Sequence, residues 1–167
     1  MSELLKAIAI FLGLMIATSM QAQTILRPTD QAPIEDTCSN TKENDNCVRF
    51  AGCFGRDGTF FHGRALGWNA GTLEAEVSNG ATCKGQWTIR NSLGVGQALF
   101  NCSDGVTGSV YYHYQDPETG TAEGTGFSND FRYLKMWAGE NLDMYFRKSK
   151  KTGLAIMECG GEDIPIS

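Results

Sequence analysis

The stretch Leu73-Glu74-Ala75-Glu76-Val77-Ser78-Asn79-Gly80-Ala81-Thr82-Cys83-Lys84-Gly85-Gln86-Trp87 holds two runs of alternating polarity around one turn signal. A two-residue Asn-Gly turn would pair Ser78 with Ala81 and set Glu76 opposite Cys83, mixing charges with core residues. A three-residue loop with Gly80 in the left-handed conformation instead pairs Val77 with Ala81 and Ala75 with Cys83. Leu73, Ala75 and Val77 then share a face with Ala81, Cys83, Gly85 and Trp87. On the other face Glu74 sits opposite Lys84, an attractive cross-strand pair. A one-residue slip would exchange the two faces, so the sequence predicts the three-residue register.

Working outward, the next turn is Asn91-Ser92-Leu93-Gly94. Counting from its centre pairs Trp87 with Ala98, Gly85 with Phe100 and Cys83 with Cys102, which predicts a Cys83–Cys102 bridge. Ser103-Asp104-Gly105 repeats the first loop and aligns Phe100 with Gly108 and Ala98 with Val110. After Asp116-Pro117-Glu118-Thr119-Gly120, the register that keeps the faces apart sets Ala122, Gly124 and Gly126 beneath Tyr112 and Tyr114. This five-strand meander needs a cover for its inner face. Strands near Thr59–Leu66 and Arg132–Trp137, and a hairpin of Leu142–Phe146 with Leu154–Cys159, are the candidates. The expected fold is all-β: an antiparallel meander of about eight strands forming a small barrel or sandwich, stapled by disulfides. Phe131–Trp137 is ambiguous between strand and helix.

The chain has 167 residues. Eleven apolar or glycine residues, Ala7 to Ala17, follow a charged start and precede Thr18-Ser19-Met20-Gln21-Ala22. That order predicts a secretory signal over 1–22, since the apolar run is too short to span a bilayer. The expected division is then an extended arm with a disulfide-pinned loop over 23–57 and an antiparallel β domain over 58–167. No other run in the chain suggests a transmembrane segment.

Twenty glycines and a formal net charge of −5 suit a turn-rich domain and argue against a nucleic-acid partner. The six cysteines (Cys38, Cys47, Cys53, Cys83, Cys102, Cys159) all lie beyond the leader. An even count after a signal points to an oxidising compartment and to disulfides, and the absence of any C-x-x-C pair argues against zinc. Given Cys83–Cys102, three pairings of the other cysteines stay open, with a lean to one that ties the arm to the last strand.

The string Cys83-Lys84-Gly85-Gln86-Trp87 with Cys102-Ser103-Asp104-Gly105-Val106-Thr107-Gly108 resembles a glycine-rich C-x-G-x-W … C-S-D-G segment of small exported proteobacterial proteins of unknown function. The resemblance implies a bacterial, exported, β-rich protein and brings no catalytic residue with it.

Sites for chemistry are sparse. Gly94-Val95-Gly96-Gln97-Ala98-Leu99 looks like a nucleotide loop but runs into a strand without a βαβ unit, and no cofactor is expected. His62 or His113 could act as a base beside an acid, and Glu74 with Glu76 could form a carboxylate pair, but no spacing assembles either set. Arg147, Lys148, Lys150 and Lys151 form a basic cluster at the tip of the expected last hairpin. With Tyr111 and His113 they are the candidate binding residues, and Trp68 and Trp137 are possible contact aromatics. These features predict an exported, non-enzymatic β-domain, periplasmic or secreted, that binds a macromolecule or cell-envelope component. The alternatives are a secreted enzyme inhibitor acting through hairpin loops and a small hydrolase using His62 or His113.

Overall fold

A computed structural model describes Cys38, residues 46–149 and residues 153–166. The expected leader and, Cys38 apart, the rest of 23–45 lie outside those residues. Eight strands run as β1 (Cys47–Phe54), β2 (Thr59–Trp68), β3 (Ala70–Val77), β4 (Thr82–Thr88), β5 (Gly96–Cys102), β6 (Thr107–Gln115), β7 (Ala122–Ser128) and β8 (Tyr133–Ala138). Each pairs antiparallel with the next, and β8 returns to β1, so the sheet is a closed barrel rather than a sandwich.

The meander has the register expected of it. Ala75 faces Cys83, Cys83 faces Cys102, Phe100 faces Gly108 and Tyr112 faces Gly124. Gly80 and Gly105 stand at φ 88° and 85°, the left-handed conformation that the matching three-residue loops demand. Glu74 does lie opposite Lys84, but its carboxylate takes Arg64 Nε at 2.5 Å from the other neighbouring strand. One departure lies in β6, where the register shifts between Tyr112 and Tyr114. The extra residue, His113, forms a bulge. Tyr114 therefore pairs with Glu123 on the outer face instead of standing over Ala122.

The stretch expected to be an arm contributes β1, so the barrel begins at Cys47. This strand lacks alternation because both of its faces are covered. Phe50 and Phe54 point into the barrel, while Ala51 and Cys53 belong to a second core on the outside. That outer layer also corrects the expected last hairpin. Leu142–Ser149 is a helix, α1, and the strand β9 (Ile156–Cys159) pairs instead with β10 (Glu162–Pro165). Leu142 and Phe146, one helical turn apart, are buried against the barrel wall, and Phe146 packs edge-on to Trp137 at 5.2 Å. Asp143 in the first turn and Arg147 and Lys148 in the last complement the helix dipole.

Three disulfides close the fold. Cys83–Cys102 spans β4 and β5, Cys38–Cys47 pins the entry to β1, and Cys53–Cys159 ties β1 to β9. The last is the link between the N-terminal region and a final strand that the sequence favours.

Glu123 joins the outer layer to β7. Its Oε2 accepts from Tyr145 Oη at 3.0 Å and Trp137 Nε1 at 3.2 Å, and its Oε1 lies 3.1 Å from Lys135 Nζ. Burial alone would push this carboxyl up, but Lys135, Tyr145 and Trp137 together outweigh it and hold it below the usual carboxylate range. A pKa depressed by folding contributes stability above the unfolded value that is lost as pH falls through the folded one. Glu123→Gln should therefore flatten the loss of stability below about pH 4.5, read as urea midpoints at neutral and acid pH. A variant that weakens in acid as steeply as the parent would exclude this carboxylate as a source of the acid sensitivity.

Candidate functional site

An eight-stranded barrel has an interior just wide enough to be filled by side chains or to hold one small ligand. Here the two ends differ. The end carrying loops 55–58, 78–80, 103–105 and 129–132 is plugged by aromatic rings. Phe54 meets Phe61 and Phe100 edge-on, with centroids at 4.9 and 5.9 Å, and Arg132 lies 4.7 Å over the Phe54 ring. The loops there are also laced to one another, through Asn79 to Asp104 and Asn129 to the Gly105 carbonyl.

At the opposite end the inward positions carry Val48, Ala65, Gly96, Ala122 and Ala138, all small or medium-sized residues. Between them lies an open cavity of about 440 Å³, walled mainly by Leu73, Trp87, Tyr112 and Met136. Loops 89–95 and 116–121 frame its mouth, with Ile89, Leu93 and Val95 exposed in the first of them.

Tyr112 is the central side chain of this space. Gly124 makes room for it: a Cβ there would meet Val110 Cγ1 at 2.7 Å and Tyr112 Cδ1 at 3.0 Å. The Tyr112 hydroxyl donates to Met136 Sδ at 3.5 Å, and burial pushes the phenol well above its ordinary pKa. Trp87 Nε1 is spent on the Leu66 carbonyl at 3.0 Å, and Thr88 Oγ1 donates to the Arg90 carbonyl at 3.0 Å. No Asp, Glu, Lys or Arg lines the cavity. The arrangement can hold an uncharged, mostly apolar molecule. Among the described residues, no group of three His, Cys, Asp or Glu side chains could hold a metal ion.

The sequence-derived candidates scatter around this site. His113 lies in the cavity lining, exposed at the bulge. His62 stands on the outer face of β2, paired with Ala51 and Glu76, and β2 and β6 lie four strands apart around the barrel. Burial lowers its pKa, and the histidines share no site. Tyr111 is exposed on the outer wall between Gln97 and Thr125. Trp68 is exposed at the β2–β3 turn, whereas Trp137 is buried beneath α1. The basic cluster is not a hairpin tip: Arg147 and Lys148 end α1, and Lys148 Nζ bonds Glu118 at 2.6 Å. Lys150 and Lys151 lie outside the described residues.

Trp87 and Tyr112 were legible as inward-facing but not as ligand-facing. The available signal was where the inward rings fall: Phe54, Phe61 and Phe100 gather towards one end, while the inward positions at the other include Val48, Ala65, Gly96, Ala122 and Ala138. Reading it needs the register of β1, β2 and β8, which the turns alone do not supply.

No protein-family model matches the chain, and no curated protein matches it. Among solved structures, a de novo designed fluorescence-activating β-barrel aligns with a TM-score of 0.44 and 16% identity over 56% of this chain and 89% of its own. A redesigned β-barrel, mFAP0, bound to DFHBI, aligns with a TM-score of 0.45 and 13% identity over 58% of this chain and 98% of its own.

Proposed function

We propose that this protein is an exported, non-enzymatic binding barrel that holds one small, largely apolar molecule in its open end. The observation that carries the reading is the cavity: about 440 Å³, apolar-walled and open at one end of an otherwise plugged barrel. Its volume falls within the range of small-molecule sites, and a few polar groups among apolar walls are their usual composition. At ~30 Å³ per water molecule it has the volume of roughly fifteen waters. The six cysteines, all paired, and the N-terminal signal pattern support export. The cell-envelope partner expected from the sequence thereby narrows to a molecule whose apolar part fits between Trp87 and Met136. The inhibitor reading loses ground, because two of its working tips, 78–80 and 103–105, lie at the plugged and laced end.

Phenylnaphthylamine, an uncharged probe that brightens in apolar surroundings, tests the reading. The protein should bind one equivalent saturably, and Ala138→Phe, which fills the cavity from β8, should weaken binding at least tenfold. Ala122→Phe makes the same test from β7 should the first variant fail to fold. Absence of saturable binding, or equal binding by a folded cavity-filling variant, would overturn the assignment.

A further inference from the structure

We infer that the cavity selects a neutral ligand bearing a hydrogen-bond acceptor, such as a carbonyl compound, and that the Tyr112 hydroxyl is the donor that reads it. This rests on the cavity being a ligand site and adds the chemistry that site recognises.

The polar atoms around the cavity differ in how well the protein satisfies them. Trp87 Nε1 has a carbonyl oxygen at 3.0 Å, Thr88 both donates to and accepts from Arg90, and Gln115 Nε2 donates to the Gly120 carbonyl at 3.1 Å. Those groups are committed to the barrel. The Tyr112 hydroxyl meets only a thioether at 3.5 Å. Sulfur is a weak acceptor, so a ligand oxygen in its place is a gain in bond strength rather than an exchange of equals. Met136 is unbranched and can turn aside as the ligand enters. The phenol is held protonated by its surroundings, so it offers a hydrogen across the physiological range.

The charge of the ligand follows from the same walls. With no Lys, Arg, Asp or Glu lining the space, and with His113 exposed at the β6 bulge, an ionised group taken deep inside beside Tyr112 would lose its hydration with no partner to replace it. A carboxylate headgroup would have to stay at the mouth, away from Tyr112. A neutral carbonyl on a flat or aliphatic frame meets both conditions, with Trp87 supplying an aromatic wall.

A matched probe pair isolates this hydrogen bond. Prodan carries a ketone on a naphthalene and shifts its emission to the red when that ketone accepts a hydrogen bond. Its propyl analogue replaces the carbonyl by a methylene at nearly the same size. The protein should bind prodan more tightly than the analogue, with red-shifted emission from the bound ketone. Tyr112→Phe should weaken prodan about fivefold to tenfold, as expected for one net hydrogen bond, and move its emission to the blue. The analogue should change less than twofold. Equal effects on both probes would make Tyr112 a packing residue, and no effect on either would place the ketone elsewhere; each result overturns the inference. Failure of both probes to bind the unaltered protein would instead remove the cavity as a ligand site.

Discussion

Replacing Cys53 and Cys159 together by alanine should lower the unfolding free energy by about 4.8 kcal/mol, more than removal of Cys83–Cys102. The two bridges close segments of very different length, with separations of 106 and 19 residues. Loop-closure entropy predicts about 4.8 kcal/mol for the first and about 3.2 kcal/mol for the second. Burial does not separate the two, since all four cysteines are at most 6% exposed, but Cys53–Cys159 is the covalent tie between β1 and the outer layer. The Cys83–Cys102 bridge joins adjacent strands already held by the sheet, with Cα atoms 3.9 Å apart. Domains of this size unfold at a cost of ~5–15 kcal/mol, so the larger loss approaches the whole margin. Urea titrations of the two double variants measure the difference, and equal midpoints would mean the outer layer docks without help from its bridge.

The sequence reveals the register of β3 to β7 because each turn has its own chemistry and each strand has one wet face. Three-residue Ser-Asn-Gly and Ser-Asp-Gly loops fix the parity, and the Cys83–Cys102 pairing follows from it. That legibility ends where a strand is covered on both sides. Val48 to Phe54 alternates nothing, since Phe50 and Phe54 fill the barrel while Ala51 and Cys53 meet the helix layer. The helix is short, at eight residues. Its signal, Leu142 and Phe146 four apart with Asp143 early and Arg147 and Lys148 late, also fits a charged hairpin. The bulge at His113 has no turn residue to mark it, and it decides that Tyr114 leaves the interior while Tyr112 stays. The cavity depends on all of these at once, being defined by strands drawn from both ends of the chain.

Phe54→Ala should cost about 3–5 kcal/mol in stability yet leave phenylnaphthylamine binding within threefold of the parent. The magnitude follows from burial and company. Phe54 is 2% exposed, packs edge-on against Phe61 and Phe100, and lies under the Arg132 guanidinium at 4.7 Å. Truncating a phenylalanine in such a site removes its transfer energy and leaves a void that surrounding strands cannot fill. Closed-barrel geometry sharpens the effect, because β1 is hydrogen-bonded on both edges and cannot move inward without straining β2 and β8 together. Binding should escape because none of Phe50, Phe54, Phe61 and Phe100 lines the cavity. The measurement is a pair of curves on one variant: urea unfolding and probe titration at a temperature where the protein stays folded. A stability loss below about 1 kcal/mol would mean that the plug repacks. A parallel loss of binding in folded protein would mean that plug and cavity form one mechanical unit, with the aromatic end setting the spacing of Trp87 and Tyr112 from below. The small inward residues at the open end argue for independence: they keep the cavity wide through their own size, whereas the rings at the other end hold the strands closed.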